Sequence, residues 1–259
     1  MKKWGFLIFL AAVPAKAVWY GAVGKAAPKD GHALEFIYDT GSRMLEEKDT
    51  NAEQKLNAHR LSLQYARGLG QGFEFLVRGT PFTSRINFSG TSLNPDVWSV
   101  GGGFHWAPPE PLGPVRIGLL ATVDYSDGKD PGENKFNWLE LGLGAGATYP
   151  LPHDLNVTGG VSMLKSDVNL EINGFKTDYA LAKEVGGFVG AGWAPNDAWN
   201  VSTELHFGNE KVWGLSARDN FQYTGARDEH RKSGASHWTR GGRRIPLGGI
   251  TVDLQRGEN

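Results

Sequence analysis

From residue 31 onward, apolar and polar residues alternate with a period of two in almost every segment. That spacing gives a β-strand one apolar and one polar face. Leu34, Phe36 and Tyr38 oppose Glu35 and Asp39, and Leu61, Leu63 and Tyr65 oppose Arg60, Ser62 and Gln64. Phe73, Phe75 and Val77 alternate with Glu74, Arg78 and one apolar exception, Leu76; Trp98, Val100, Phe104 and Trp106 alternate with Ser99, Gly101, Gly103 and His105. The cleanest run is Val115, Ile117, Leu119, Ala121, Val123 and Tyr125, set against Arg116, Gly118, Leu120, Thr122 and Asp124. Leu139 to Tyr149 follows, with Glu140 and three glycines on its other face, and then Leu155 to Met163. Tyr179 to Trp193 faces away from Glu184 and Gly186, and Val201, Leu205 and Phe207 face away from Ser202, Glu204 and His206. Ile250, Val252 and Leu254 alternate with Thr251, Asp253 and Gln255. The pattern predicts ten strands, with residues 31–255 as one all-β unit.

Two architectures share this period. A soluble sandwich or barrel turns its apolar face inward; a transmembrane β-barrel turns it outward to lipid. Three features favour lipid. The apolar face often ends in an aromatic at one rim, as at Trp106, Tyr149 and Trp193, the place of an interfacial girdle. The other face is rich in Gly, Ser, Thr and charge and poor in lysine, which suits a narrow lumen. The strands are also longer than those of soluble sheets. Short connections at Leu69–Gly72, Pro108–Pro114, Pro150–Asp154 and Pro195–Ala198 alternate with longer polar ones, and short turns on one rim belong to the periplasmic side. An antiparallel up-and-down transmembrane barrel with both termini on that side is the expected fold.

The first residues fit an export signal: Lys2 and Lys3, an apolar stretch from Trp4 to Val13, and Ala15-Lys16-Ala17 as a cleavage site. Twelve uncharged residues, Trp4 to Ala15, are too few for a spanning helix. Cleavage after residue 17 removes three lysines and no acid, shifting the charge from −1 to −4, and leaves residues 18–30 as an N-terminal periplasmic segment. A near-neutral, slightly acidic chain is not the profile of a nucleic-acid binder. With no cysteine there is neither a disulfide scaffold nor a thiolate metal site.

In this pattern the chain resembles the small outer-membrane β-barrels of Gram-negative bacteria, of the opacity-protein and short porin-like type. Gly249-x-x-Val252-x-Leu254 resembles the C-terminal strand signal read by the barrel-assembly machinery. The resemblance implies an outer-membrane location, contact with membrane lipid and lipopolysaccharide, and a monomer. The chain departs from the family by ending Gly-Glu-Asn instead of in Phe. Trp213, Leu215, Ala217 and Phe221 are therefore a rival closing strand, and the count ranges from eight to twelve.

The polar face nominates a lumen network: Glu35, Asp39, Glu74, Asp124, Glu140, Glu184, Glu204 and Asp253, against Arg60, Arg78, Arg116, His105 and His206. An acidic excess suits a cation-preferring passage, while a small barrel is equally well filled by ion pairs or plugged by a segment bearing Lys25 and Lys29. No metal or cofactor motif is apparent. Ser202, Glu204 and His206 share a face, but strand residues four apart are about 13 Å distant, so they form no triad. A lipid-modifying enzyme in the same barrel, and a secreted soluble binding barrel, are the alternatives to a structural or narrow porin-like barrel. The stretch 209–244 holds eight basic and four acidic residues. As the last outer loop it would bring Arg240, Arg243 and Arg244 to lipopolysaccharide phosphates.

Overall fold

The computed structural model describes residues 24–88, 91–224, 237–240 and 243–244. Its strands are β1 (Gly31–Glu47), β2 (Glu53–Gly70), β3 (Phe73–Phe88), β4 (Thr91–Leu93), β5 (Asp96–Trp106), β6 (Arg116–Lys129) and β7 (Lys135–Pro150). They continue as β8 (Leu155–Ile172), β9 (Phe175–Leu181), β10 (Val185–Trp193), β11 (Trp199–Phe207), β12 (Glu210–Thr224), β13 (His237–Arg240) and β14 (Arg243–Arg244). Ten of them form a closed antiparallel ring, β1-β2-β3-β5-β6-β7-β8-β10-β11-β12, and β12 pairs back onto β1 from Gly31↔Gln222 to Arg43↔Glu210. Closure leaves no unpaired edge, which is what lets strands stand in lipid.

The ring count matches the sequence pattern, but the tenth strand is a different one. β12 closes the barrel; Ile250–Leu254 lies outside the described residues. Residues 210–224 are wall and not loop. Glu210, Val212, Gly214, Ser216 and Arg218 alternate with Lys211, Trp213, Leu215 and Ala217, so the closing strand is the rival one that the sequence offered at Trp213 to Phe221. The stretch read as one strand from Tyr179 to Trp193 is two, because β9 leaves the wall at Leu181 and β10 starts at Val185.

Along a single strand, the apolar residues change sides. On β8, Leu155, Val157 and Val161 are exposed outward while Thr158 and Ser162 are buried inward; from Leu164 on, Leu164, Val168 and Leu170 are buried inside and Lys165, Asp167, Asn169 and Glu171 point out. β7 repeats the exchange, with Phe136 and Trp138 inside above Glu140, and so does β2, with Leu56 inside above Arg60. Near the short-turn rim the outside is therefore apolar and the inside largely polar, with a small apolar cluster of Ala33, Ala66, Leu76, Leu120 and Phe188 among the charges. At the far rim the outside is polar and the inside is a hydrophobic cluster of Leu45, Leu56, Phe136, Trp138, Leu164, Val168, Leu170, Tyr179 and Leu181. A boundary between two solvents accounts for this exchange. From Leu139 to Tyr149 the outward apolar run spans ten steps, about 33 Å of strand, or about 25 Å of height at the usual tilt, the thickness of a bilayer's apolar band. Aromatics mark both edges: Tyr38 against Trp213 and Trp98 against Tyr125 above, Phe73 against Trp106 with Tyr149 and Trp193 below.

The far end also changes strand number. β9 pairs with β8 through Asp167↔Ala180 to Ile172↔Phe175 and with β1 through Leu45↔Leu181 to Glu47↔Tyr179. There β9 alone stands where β10, β11 and β12 stand below, so the ring narrows from ten strands to eight.

Two consequences follow for stability. Leu119→Arg, on the outward face at 49% exposure, should cost about 2–4 kcal/mol of folding in lipid. Leu164→Ala, at 1% exposure inside the far end, should cost about 2–5 kcal/mol. Urea unfolding in lipid vesicles checks both. A chain ending at residue 230 should still fold to the heat-modifiable form in detergent, because β12 completes the ring; loss of folding would restore the closing role to Ile250–Leu254.

Candidate functional site

Among the described residues, buried charged side chains converge in the interior. Nearest the short-turn rim, Glu74 on β3 receives Arg218 from β12 through Nη2 at 2.6 Å and Nη1 at 3.1 Å, and His105 Nδ1 from β5 at 2.7 Å. Glu35 on β1 accepts from Gln64 Nε2 at 3.0 Å and lies 3.9 Å from the same guanidinium. Glu74, Glu35 and His105 are all buried. One level up, Arg60 donates to Asp39 at 2.7 Å, and Arg78 forks onto both oxygens of Asp124. Higher still, Arg43 is the hub: Nε donates to Glu210 at 2.7 Å, Nη1 to Glu140 at 2.7 Å, and the guanidinium stacks 4.8 Å from the Trp138 ring centre. His206 lies between Glu204 at 3.2 Å and Glu210 at 3.3 Å, stacked on Phe188. Hydroxyl pairs fill the rest: Ser62 with Thr80, Ser202 with Ser216, Thr148 with Thr158.

Gly101 shows how the packing is made possible. It stands opposite Asp124 on the neighbouring strand, and a Cβ there would run into the Asp124 carboxylate. A cavity of about 20 Å³ between Asp39, Arg60, Arg78, Asp124 and Glu140 is room for about one water.

The mouth at the short-turn rim is stoppered by the chain itself. Residues 24–30 fold into it: the Ala27 amide donates to Glu74 Oε2 at 2.8 Å, and Ala27 is buried. Gly68 lets this segment approach, since a Cβ would meet the Pro28 carbonyl oxygen. Lys25 Nζ reaches Asp197 in the β10–β11 turn at 2.6 Å. This ammonium holds the Asp197 carboxyl below its ordinary range, so the pair's small contribution is present at neutral pH and fades as acid protonates Asp197. Of the expected segment 18–30, residues 24–30 fill this mouth as a plug, the arrangement considered above for a segment bearing Lys25 and Lys29.

Of the nominated residues, the structure gathers Glu35, Asp39, Arg60, Glu74, Arg78, His105, Asp124, Glu140, Glu204 and His206 in the interior. Arg116 is corrected: it lies exposed at the mouth, near Gly24, where β6 has only just begun. His105 sits opposite Leu120 and not Arg116. Glu184 is corrected too, being exposed in the link between β9 and β10, because the strand assumed there is broken. Asp253 lies outside the described residues. Arg240 and Arg243–Arg244 fall in β13 and β14, which extend from the end of β12 at the rim bearing the N-terminal segment. They therefore stand at the rim of the N-terminal segment and not in a loop at the opposite rim, where the sequence pattern placed them. Sequence reasoning missed Arg43, Glu210 and Arg218. Arg43 continues the inward series 35, 37, 39 of β1, and the other two belong to the alternation of β12.

Among the described residues no group of three or more His, Asp or Glu side chains is placed to hold a metal. Ser202 bonds Ser216 and is buried with His206 in the packed interior, out of reach of a lipid substrate.

No protein-family model matches the sequence, and no curated protein matches it. Among solved structures the chain is similar to the outer-membrane protein OprG of Pseudomonas aeruginosa, at 11% identity over 78% of this chain and 100% of that one, with a TM-score of 0.42. An outer-membrane channel of Pseudomonas putida F1 aligns at 10% identity over 76% and 97%, with a TM-score of 0.43. The translocator domain of the autotransporter NalP of Neisseria meningitidis aligns at 13% over 74% and 88%, with a TM-score of 0.41. These likenesses are distant; the barrel stands on its own closed ring of hydrogen bonds and its apolar outer wall.

Removing one partner of the lower network should expose how much the interior depends on pairing. Arg218→Ala leaves Glu74 and Glu35 buried without their cation and should cost about 3–5 kcal/mol. Lys25→Ala, at the solvated mouth, should cost at most about 1 kcal/mol. Equilibrium unfolding in lipid vesicles measures both.

Proposed function

We propose that the protein is an integral outer-membrane β-barrel with a closed bore, a structural element of the membrane and not an open porin. The observation that carries this reading is the exchange of apolar residues from the outer to the inner face along single strands. It supports a bilayer around the short-turn half of the barrel. It also supports a water-exposed far half with its own hydrophobic core, and that core fills the bore. The export signal expected at residues 1–17 and the rim that carries the N-terminal segment together favour an orientation with the far half outside the cell. The ion-paired interior and the plug at residues 24–30 support closure from the other end.

Two barriers in series make a strong expectation. The purified chain in planar bilayers should give no steady single-channel conductance. Removal of residues 24–30 alone should not open it, since the far-end core remains. Unboiled protein should migrate as a compact band on gels and insert into vesicles. Reproducible unit conductance of the intact chain would overturn the closed-bore reading in favour of a narrow passage for small solutes.

A further inference from the structure

The N-terminal segment covers only part of the mouth it closes. Followed back from β1, the chain lies with Pro28 on Gly68 of β2, Ala27 bonded to Glu74 of β3, and Gly24 against Arg116 at the foot of β6. A Cβ on Gly24 would collide with the Arg116 Cβ. Between the feet of β6 and β11 there remains a hollow of about 960 Å³. Gly24 and Lys25 form one side of it. The β7–β8 and β10–β11 turns form the other, through Leu151, His153, Pro195 and Asn196.

Two observations say what belongs there. Gly24 is itself buried, so the chain has not left the barrel where residue 23 joins it, and the hollow opens beside that junction. On the opposite side, Asn200 of β11 is the next inward residue after Ala198, which lines the hollow. Asn200 is 5% exposed, and neither its Nδ2 nor its Oδ1 has a hydrogen-bond partner among the described residues. A buried amide left unpaired is costly. One peptide unit supplies both the carbonyl and the N–H that it lacks.

We propose that the hollow is the docking site of the chain's own residues 18–23, Val-Trp-Tyr-Gly-Ala-Val, laid across the mouth from Arg116 toward Asn200. The inference rests on the barrel reading above and goes beyond the plug at 24–30. Four strand spacings separate the feet of β6 and β11, about 19 Å, and six extended residues reach about 20 Å. The segment carries no charged side chain, which suits a hollow whose Lys25 is already paired with Asp197 at 2.6 Å. Trp19 and Tyr20 bring large apolar rings with a polar tip. They match walls that mix Leu151 and Pro195 with Thr148 and Asn156. Cleavage after residue 17, the site expected from the sequence, frees this segment to dock.

The chain has no cysteine of its own, so single thiols test the docking. The full mature chain with Tyr20→Cys, folded in detergent, is treated with a water-soluble maleimide. Labelling should run about 100-fold slower than at Asp49→Cys, in the exposed β1–β2 turn of the opposite rim, as expected of a segment that must open locally to react. Asn156→Trp, which fills the hollow, should restore fast labelling. Mild oxidation should join Tyr20→Cys to His153→Cys or to Asn196→Cys, in the two turns that wall the hollow, and not to Asp49→Cys. Labelling of Tyr20→Cys as fast as that of Asp49→Cys overturns the docking. So does failure to form a disulfide with either turn, which would leave the hollow to a separate partner. Loss of heat-modifiable migration by the unsubstituted chain would instead overturn the barrel reading beneath it.

Discussion

Each strand of this barrel passes through two solvents, and that constraint organises the rest. In hydrocarbon, an outward polar side chain is expensive and an inward one is free to pair. In water the preferences reverse, because burying apolar surface inside becomes the favourable term. β8 obeys both rules in one continuous run of eighteen residues, changing its apolar face at Leu164 without any break in its pairing with β7. The backbone is indifferent to the change; only the side chains record it.

The polar interior follows from the same constraint. Once the apolar residues of the lower half face lipid, the remaining side chains must satisfy one another, and a narrow bore offers little water to help. Ion pairs there are matched in a chain across opposite walls: Arg218 of β12 with Glu74 of β3, Arg43 of β1 with Glu140 of β7. Such pairs gain little over a well-packed apolar core, yet each partner is costly to lose. They tie strands far apart in sequence into one register, alongside the small apolar cluster of Ala33, Ala66, Leu76, Leu120 and Phe188 in the lower half.

The ends of the bore are closed by different physics. At the short-turn rim a short piece of chain gives a backbone amide to a buried carboxylate, at Ala27 and Glu74. At the far rim the ring sheds two strands as β9 takes the place of three, and the narrower barrel is filled by aromatic and aliphatic side chains around Trp138 and Phe136. A polar stopper and an apolar core thus close the same channel, each suited to the solvent side it meets.

By itself the sequence determined the class of fold, the alternation that separates wall faces, and most of the interior charges, because period two is a local property that every strand must show. Glu74, Asp124 and Glu204 were legible for that reason. The sequence also assigned the apolar runs to one face of each strand, and within the lipid belt this is the face they take. It could not decide which alternating stretch completes the ring. Lys211–Phe221 and Ile250–Leu254 both alternate, and the choice rests on pairing with β1, nearly two hundred residues away. It could not place Arg116 or Glu184, whose surroundings depend on where β6 and β10 begin. Nor did it show that the inner face turns apolar beyond the membrane. That reversal needs the strands stacked into a common height, so that Leu56, Phe136, Leu164 and Leu181 meet in one layer, and only the closed barrel brings them there.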